Sequence, residues 1–338
     1  MQFSSCAKTR YLIEQGTGQL SLLWNAKDNK EVLNDPKVDP KVKDKIKQVE
    51  TYKKYFYSYW EKNPSKIYSK TTFLKGKAVT YLVISSKYYQ IKPVKECFPF
   101  MGCFPYIGFF DKESAIEYQK DKQEDNYETY MRPVYAYSTL GYFTDTILSS
   151  FFYYKEVELA DLVFHELFHT IFFIKDEVAL NENLANYFAK AMTREYFKDE
   201  NFEIRDERIK KSEILKTEFV KLVKELDAKY KELGSEKMSK ADAVKTREQF
   251  MQERLRPIIE EVCSKNKISN CFPLKREWNN ASLAAFMTYE KKANKLRQLQ
   301  TKLNLDLKGF YRYIEREYEQ YNEKDIDEKF DQYLFKKL

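Results

Sequence analysis

The apolar positions of this chain change period several times, and each change marks an element. Residues 8–62 carry them mostly at helical spacing, with Asp35-Pro36 and Asp39-Pro40 as helix-start signals before 42–60. From about 66 to 95 the pattern becomes β-branched and aromatic between turn residues, which predicts strands over 77–84 and 88–91. Residues 106–110 then read as a strand, 112–121 as a helix and 127–138 as a strand. A helix follows over 158–174, with Phe168, Ile171 and Phe172 inward, then the connection Lys175-Asp176-Glu177. A second helix over 179–189 turns Leu184, Tyr187 and Phe188 inward. Further on, Leu215, Phe219, Leu222, Leu226, Tyr230 and Leu233 alternate in steps of three and four, Gly234-Ser235 breaks the run, and 241–262 resumes it. That is the pattern of a long antiparallel helical hairpin. Residues 278–289 read as another helix, and 310–338 as a charged helical end. No internal repeat or low-complexity linker interrupts the chain.

The helix over 158–174 holds the only two histidines, His165 and His169, with Glu166 beside the first in Phe164-His165-Glu166-Leu167-Phe168-His169-Thr170. Residues four apart lie on one helix face, about 6 Å from each other. Two imidazoles so placed can grip one Zn²⁺ while the glutamate activates its water. A hydrolytic zinc wants three protein ligands and one open position. With no third histidine, a carboxylate is expected, and Asp176, Glu177 and Glu182 stand just downstream. Glu182 is preferred, because a carboxylate early in the second helix can face the first, whereas Asp176 and Glu177 sit in the connection as solvated charges. Asp161, one turn before His165, can orient a ligand imidazole or serve as a surface charge.

Around Glu182, Leu180-Asn181-Glu182-Asn183-Leu184-Ala185 resembles the L-N-E-x-x-A stretch that supplies the third zinc ligand in gluzincin aminopeptidases. Four further segments carry a closer likeness. They are Glu96-Cys97-Phe98-Pro99 through Gly102-Cys103 with Gly108-Phe109-Phe110-Asp111, Ala136-Tyr137-Ser138-Thr139-Leu140-Gly141-Tyr142-Phe143, Glu158-Leu159-Ala160, and Trp278-Asn279-Asn280-Ala281 through Thr288-Tyr289. In order and spacing they resemble the bacterial "putative aminopeptidase" family of predicted zinc lipoproteins. The resemblance implies a zincin-like peptidase with one Zn²⁺ per chain on His165, His169 and Glu182, Glu166 as general base, and a peptide substrate. It also offers Tyr289 and Tyr137 as second donors to the oxyanion. Asn280 is offered as a residue that orders the site or binds substrate, with helix capping as its alternative. Twelve residues separate His169 from Glu182, fewer than in thermolysin or the aminopeptidase-N group, so the resemblance does not carry over site dimensions.

The expected fold is α+β, mainly helical, with a small mixed or antiparallel sheet and the long hairpin. Its expected segments are 1–65 (helical), 66–200 (the zincin-like core), 201–262 (the hairpin) and 263–338 (helices completing the catalytic domain). Residues 134–142 are the candidate edge for binding substrate backbone by strand addition, with plain sheet core as the alternative. The rival to catalysis is an envelope lipoprotein that keeps a structural or vestigial zinc helix. A structural zinc would want a fourth protein ligand, and none stands nearby in sequence.

Composition narrows the setting. The 338 residues are 33% charged and the mean hydropathy is −0.68, with no apolar run near the roughly 18 residues of a membrane span. The net charge of +7 is spread over interleaved Lys and Glu, with no basic stripe for nucleic acid. Among five cysteines, Cys97 and Cys103 are close, as are Cys263 and Cys271, and Cys6 stands alone. Two local disulfides and one odd cysteine suit an oxidising compartment, five free thiols in a cytosolic protein being the alternative. Cys6 after Phe3-Ser4-Ser5 resembles a lipoprotein cleavage site, and a lipid there would anchor the protein without a spanning helix. The preceding residues are too few for a signal peptide. The expectation is a trimmed N-terminus and a lipid-anchored protein on the periplasmic side of a bacterial envelope. No specific protein partner is readable.

Overall fold

Short polar residues set many of the helix starts. Asp28, Asp39, Asp111, Ser239 and Asp306 each accept a backbone N–H two or three residues on, satisfying donors that the first turn leaves free. The structure, a computed structural model, describes residues 5–98, 102–136, 144–175, 177–198, 202–290, 293–324 and 326–336. In chain order the elements are α1 (Ser5–Trp24), β1 (Ala26–Asp28), α2 (Asn29–Asn34), α3 (Pro40–Trp60), β2 (Lys70–Thr72), β3 (Thr80–Lys87), β4 (Glu96–Phe98), β5 (Gly102–Phe104) and β6 (Ile107–Phe109). There follow α4 (Lys112–Glu124), β7 (Tyr127–Val134), β8 (Ile147–Leu148), α5 (Glu156–Phe168), α6 (Val178–Tyr196) and α7 (Phe202–Glu232). The chain ends with α8 (Lys240–Phe250), α9 (Arg256–Lys265), α10 (Asn280–Glu290), α11 (Ala293–Leu303), α12 (Leu307–Glu323) and α13 (Phe330–Phe335). A π-helical turn, Met251–Leu255, joins α8 to α9. The strands form small sheets in the orders β1-β2-β8, β6-β3-β7 and β4-β5. The fold is therefore mainly helical α+β, as the pattern predicts.

Four local expectations change. Residues 88–91 are not a strand: the Ser86 hydroxyl lies 2.9 Å from the carbonyls of both Gln90 and Lys92, folding the chain back after β3. The strand from 127 ends at Val134. The charged C-terminal stretch is two helices with a break between them, and α11 precedes them unanticipated. Leu233 is 53% exposed and does not join the hairpin core. Tyr137, Asp176 and most of the candidate edge 134–142 lie outside the described residues, as do the side chains of Cys6 and Tyr289.

Contacts divide the chain into two discontinuous units. One contains residues 1–14, 80–133 and 198–290. Its hairpin sets Leu215, Phe219, Leu222, Leu226 and Tyr230 against Phe250, Leu255 and Ile259, with Trp278 and Leu283 closing the cluster. Its disulfides are Cys97–Cys103, across β4 and β5, and Cys263–Cys271, from the last turn of α9 to the segment that follows it. Asn280 belongs to a buried polar network here. The Arg247 guanidinium donates to both Glu128 oxygens at 2.7 and 2.8 Å, and the Asn280 amide N–H donates to the same carboxylate at 2.6 Å. The Asn280 side-chain oxygen accepts from Tyr230, and its nitrogen donates to the Tyr88 carbonyl at 2.5 Å. Neighbouring Asn279 caps α10 by accepting the Ser282 amide at 2.8 Å. Arg247→Met should cost about 3–5 kcal/mol, because it strands a buried carboxylate. Urea denaturation would read this, and adding Glu128→Gln should recover part of the loss. A single-variant cost below about 1 kcal/mol would show that the pair is solvated.

The other unit contains residues 15–79, 134–197 and 291–338, and its core is ring upon ring. Phe164 of α5 lies 6.0 and 6.3 Å from Tyr52 and Phe56 of α3, and Phe168 stacks on Phe188 of α6 at 4.8 Å. Trp60 meets Phe168 and Tyr311, while its indole N–H donates to the Met192 sulfur at 2.9 Å. Rigid aromatic contacts of this kind fix helix positions more tightly than flexible aliphatic ones.

Candidate metal centre

Glu156 and Glu158 sit in the first turn of α5, where negative charge suits the helix dipole, and Glu158 accepts the Lys155 amide at 3.2 Å. Leu159, Ala160, Val163, Phe164, Leu167 and Phe168 are all buried to 1% exposure or less. Packing that broad apolar face turns the remaining stripe, Asp161, His165 and His169, toward α6.

The helix stops at Phe168, short of the expected 174. The Thr170 hydroxyl donates to the Leu167 carbonyl at 2.6 Å, competing with the next helical turn. His169 is the C-cap and keeps right-handed helical angles, φ −61° and ψ −19°, so it holds the position that the i, i+4 spacing requires. The two imidazole centroids are 5.0 Å apart.

Glu182 comes from the first turns of α6, and its neighbour fixes where it points. The buried Asn181 side chain accepts the Ile174 amide at 2.9 Å and donates to the Ile174 carbonyl at 2.7 Å, tying α6 to the connection from α5. Glu182 Oε2 lies 3.5 Å from His165 Nε2, and its Oε1 lies 3.5 Å from His169 Nε2. Among the described residues these three side chains form a group that could hold a metal ion, one ligand atom from each lying within 4.8 Å of the others. Glu177 is elsewhere: it is buried and accepts the Asp331 amide at 3.0 Å.

The electrostatics are those of a dry site. Burial pushes the Glu166 carboxyl up to about 7, with Glu182 and Asp145 adding to the rise and His165 opposing it. Burial likewise pushes His169 down to about 4, helped by His165 and opposed by Glu182. Burial also works against a proton on His165, but the hydrogen bond to Glu182 and the charges of Glu166, Glu182 and Asp161 outweigh it, and its pKa is raised. Burial raises the Asp161 carboxyl against the pull of Lys190, His165 and Arg194. His169 Nδ1 and one Asp161 oxygen are buried with no hydrogen-bond partner among the described residues.

The donor set fits a small divalent cation. At 3.5 Å the nitrogen–carboxylate approaches are too long for a strong charge-assisted bond, yet close to the roughly 3.3 Å edge of a tetrahedron with ligands about 2.0–2.1 Å from its centre. His165, Glu166, His169, Glu182 and Asp161 are thus brought together, while Asn280 spends its side chain in the other unit's network.

Sequence reasoning missed two residues of this unit, Tyr68 and Asp145. The Tyr68 phenol feels the charges of Glu166 and Asp145, and its amide donates to the Asp145 carbonyl at 2.8 Å. Nothing in the pattern singles out Tyr68 from 27 tyrosines. A cavity of about 720 Å³, whose wall includes Tyr57, Tyr68, Lys53 and Glu50, contains none of the three candidate ligands.

Comparison with known proteins gives one match. No curated protein and no solved structure matches the chain. The family described as "Putative aminopeptidase" matches residues 10–328, nearly the whole length, so the chain belongs to that family.

Proposed function

We propose that the protein is a zinc-dependent peptide hydrolase acting as an aminopeptidase. The observation that carries this reading is the convergence of His165 Nε2, His169 Nε2 and the Glu182 carboxylate beside a buried Glu166. Zinc bound there would supply a water acidified to near neutrality and a Lewis acid for the scissile carbonyl. His165, His169 and Glu182 would hold it, leaving one position open. Glu166 takes the proton of the attacking water on its carboxylate and delivers it to the leaving amine nitrogen. Burial raises its pKa in the metal-free protein, and a bound cation would act in the opposite sense, toward the carboxylate that accepts the proton. Asp161 lies one turn from His165 and is a positioning residue for that imidazole. The family's description supports aminopeptidase action. The two disulfides favour an oxidising compartment and support the envelope location, with Cys6 as lipid anchor.

Elemental analysis of dialysed protein should give about one zinc per chain. Peptides with free N-termini should be cleaved faster than their acetylated counterparts, and a chelator should stop cleavage until zinc is restored. Failure to take up zinc after reloading would overturn the reading. Zinc uptake with no cleavage of any peptide would move the protein to the non-catalytic class.

A further inference from the structure

Toward its C-terminal end α1 turns an uncharged face to solvent. After residue 15 its exposed positions are Gly16, Thr17, Leu20, Ser21 and Trp24, with Leu20 61% and Trp24 89% exposed. A solvent-facing helix stripe normally carries charge, above all in a chain that is 33% charged.

Strand pairing and hydrogen bonds gather further rings around Trp24. The Thr72 hydroxyl donates to the Leu22 carbonyl at 3.0 Å, and Thr72 pairs with Ala26 of β1 and with Leu148 of β8. The chain therefore leaves β2 at Phe73, 43% exposed, beside the end of α1. The Phe73 ring meets Phe152 at 6.2 Å, and the Leu74 amide donates to the Ser149 hydroxyl at 2.9 Å. The turn Ser149–Tyr153 ends in Tyr153, 69% exposed, with the Lys77 ammonium 5.7 Å from its ring centre. Tyr135 is exposed at the same place, its carbonyl accepting from the Ser150 hydroxyl. Lys75 and Lys77 are exposed just after Phe73, and none of the exposed residues within 16–25, 73–77 and 149–155 is acidic.

Exposed apolar surface of this extent marks contact with a protein or with lipid, and its composition favours lipid. Trp and Tyr concentrate at the boundary between headgroups and acyl chains, where an apolar ring and a polar edge are both served. Lysine stems lie along such rings while the ammonium reaches lipid phosphate. With no exposed carboxylate in the way, the surface can approach an anionic membrane. We propose that this surface binds a bilayer with anionic headgroups, Leu20, Trp24, Phe73 and Tyr153 entering the interface and Lys75 and Lys77 meeting the phosphates. The binding depends neither on zinc nor on a lipid at Cys6, and it would stand without the hydrolase reading.

The test uses the full chain carrying Cys6→Ser, so that no acyl group contributes. Vesicles are phosphatidylcholine alone or with about 30% phosphatidylglycerol. Trp24 is the reporter, since Trp60 and Trp278 are only 6% and 8% exposed. The expected result is co-sedimentation with the anionic vesicles, a blue shift of tryptophan emission and its quenching by brominated acyl chains. Trp24→Ala should weaken that binding at least about 10-fold and abolish the blue shift. Lys75→Ala with Lys77→Ala should weaken it about 10- to 30-fold on anionic vesicles. All three positions are exposed, so melting temperatures should match the parent. No binding to either vesicle, or binding that Trp24→Ala leaves unchanged, would overturn the proposal. A concentration-dependent dimer that Trp24→Ala dissolves, with vesicles ignored, would also overturn it and assign the surface to a second copy of the chain.

Discussion

Glu166→Gln is expected to keep wild-type zinc content and to lower peptide hydrolysis by about 10²- to 10⁴-fold, the usual contribution of a positioned general base. The amide is nearly isosteric, so loss of rate with retained zinc isolates proton transfer from metal holding. A second effect should accompany it. The Glu166 carboxyl rises from 4.5 to about 7 in the folded, metal-free protein, so between those values the folded state binds more protons than the unfolded one. Stability is therefore lost as pH climbs through that window, by about 1.4 kcal/mol per pH unit and on the order of 3 kcal/mol in all. Gln carries no such charge. Metal-free Glu166→Gln should be the more stable protein above about pH 7 and nearly equal to wild type near pH 4, as read by urea unfolding across pH. Added zinc should shrink the difference, since a cation beside the carboxylate stabilises its charged form. Wild-type activity in the variant would end the base assignment.

Glu182→Ala should weaken zinc binding by more than about 100-fold, the upper range for losing even an outer-shell partner. Competition with a chelator of known affinity would measure it. Glu177→Ala is the informative comparison, because Glu177 was the neighbouring carboxylate candidate in the sequence. It should cost about 1–3 kcal/mol of stability, since it leaves the Asp331 amide without its acceptor, and should leave zinc affinity near wild type. The reverse pattern, zinc retained in Glu182→Ala and lost in Glu177→Ala, would overturn the ligand assignment.

How much of this was legible in the sequence depends on how local the cause is. The His165–His169 spacing needs only helix geometry, and it survives although α5 ends earlier than expected, because His169 keeps helical angles as the cap. The early end was not visible, because it depends on where the Thr170 hydroxyl turns once the helix is formed. Glu182 could be preferred over Glu177 from the second helix alone, but the Asn181 clamp on Ile174 requires two elements already in place. Asn280 carried a family likeness, while its four-residue polar network appears only when residues 128, 230, 247 and 280 meet. Tyr68 had no signal, since a left-handed tyrosine is imposed by tertiary contacts against local preference.

The π-helical turn between α8 and α9 has a genealogical consequence. Buried positions run Ala243, Arg247 and Phe250, then step by five to Leu255 before resuming with Ile259. The widened turn also gives room ahead of Pro257, whose ring would press on the carbonyl four residues back in a regular helix. A π turn takes up one residue inserted into an α-helix, so the buried positions on either side keep a common face. A relative one residue shorter here would step by four from Phe250, the spacing of a regular helix, and could still bury both flanking sets. A single-residue gap in this stretch would therefore mark a lineage without the π turn whose hairpin packing is kept.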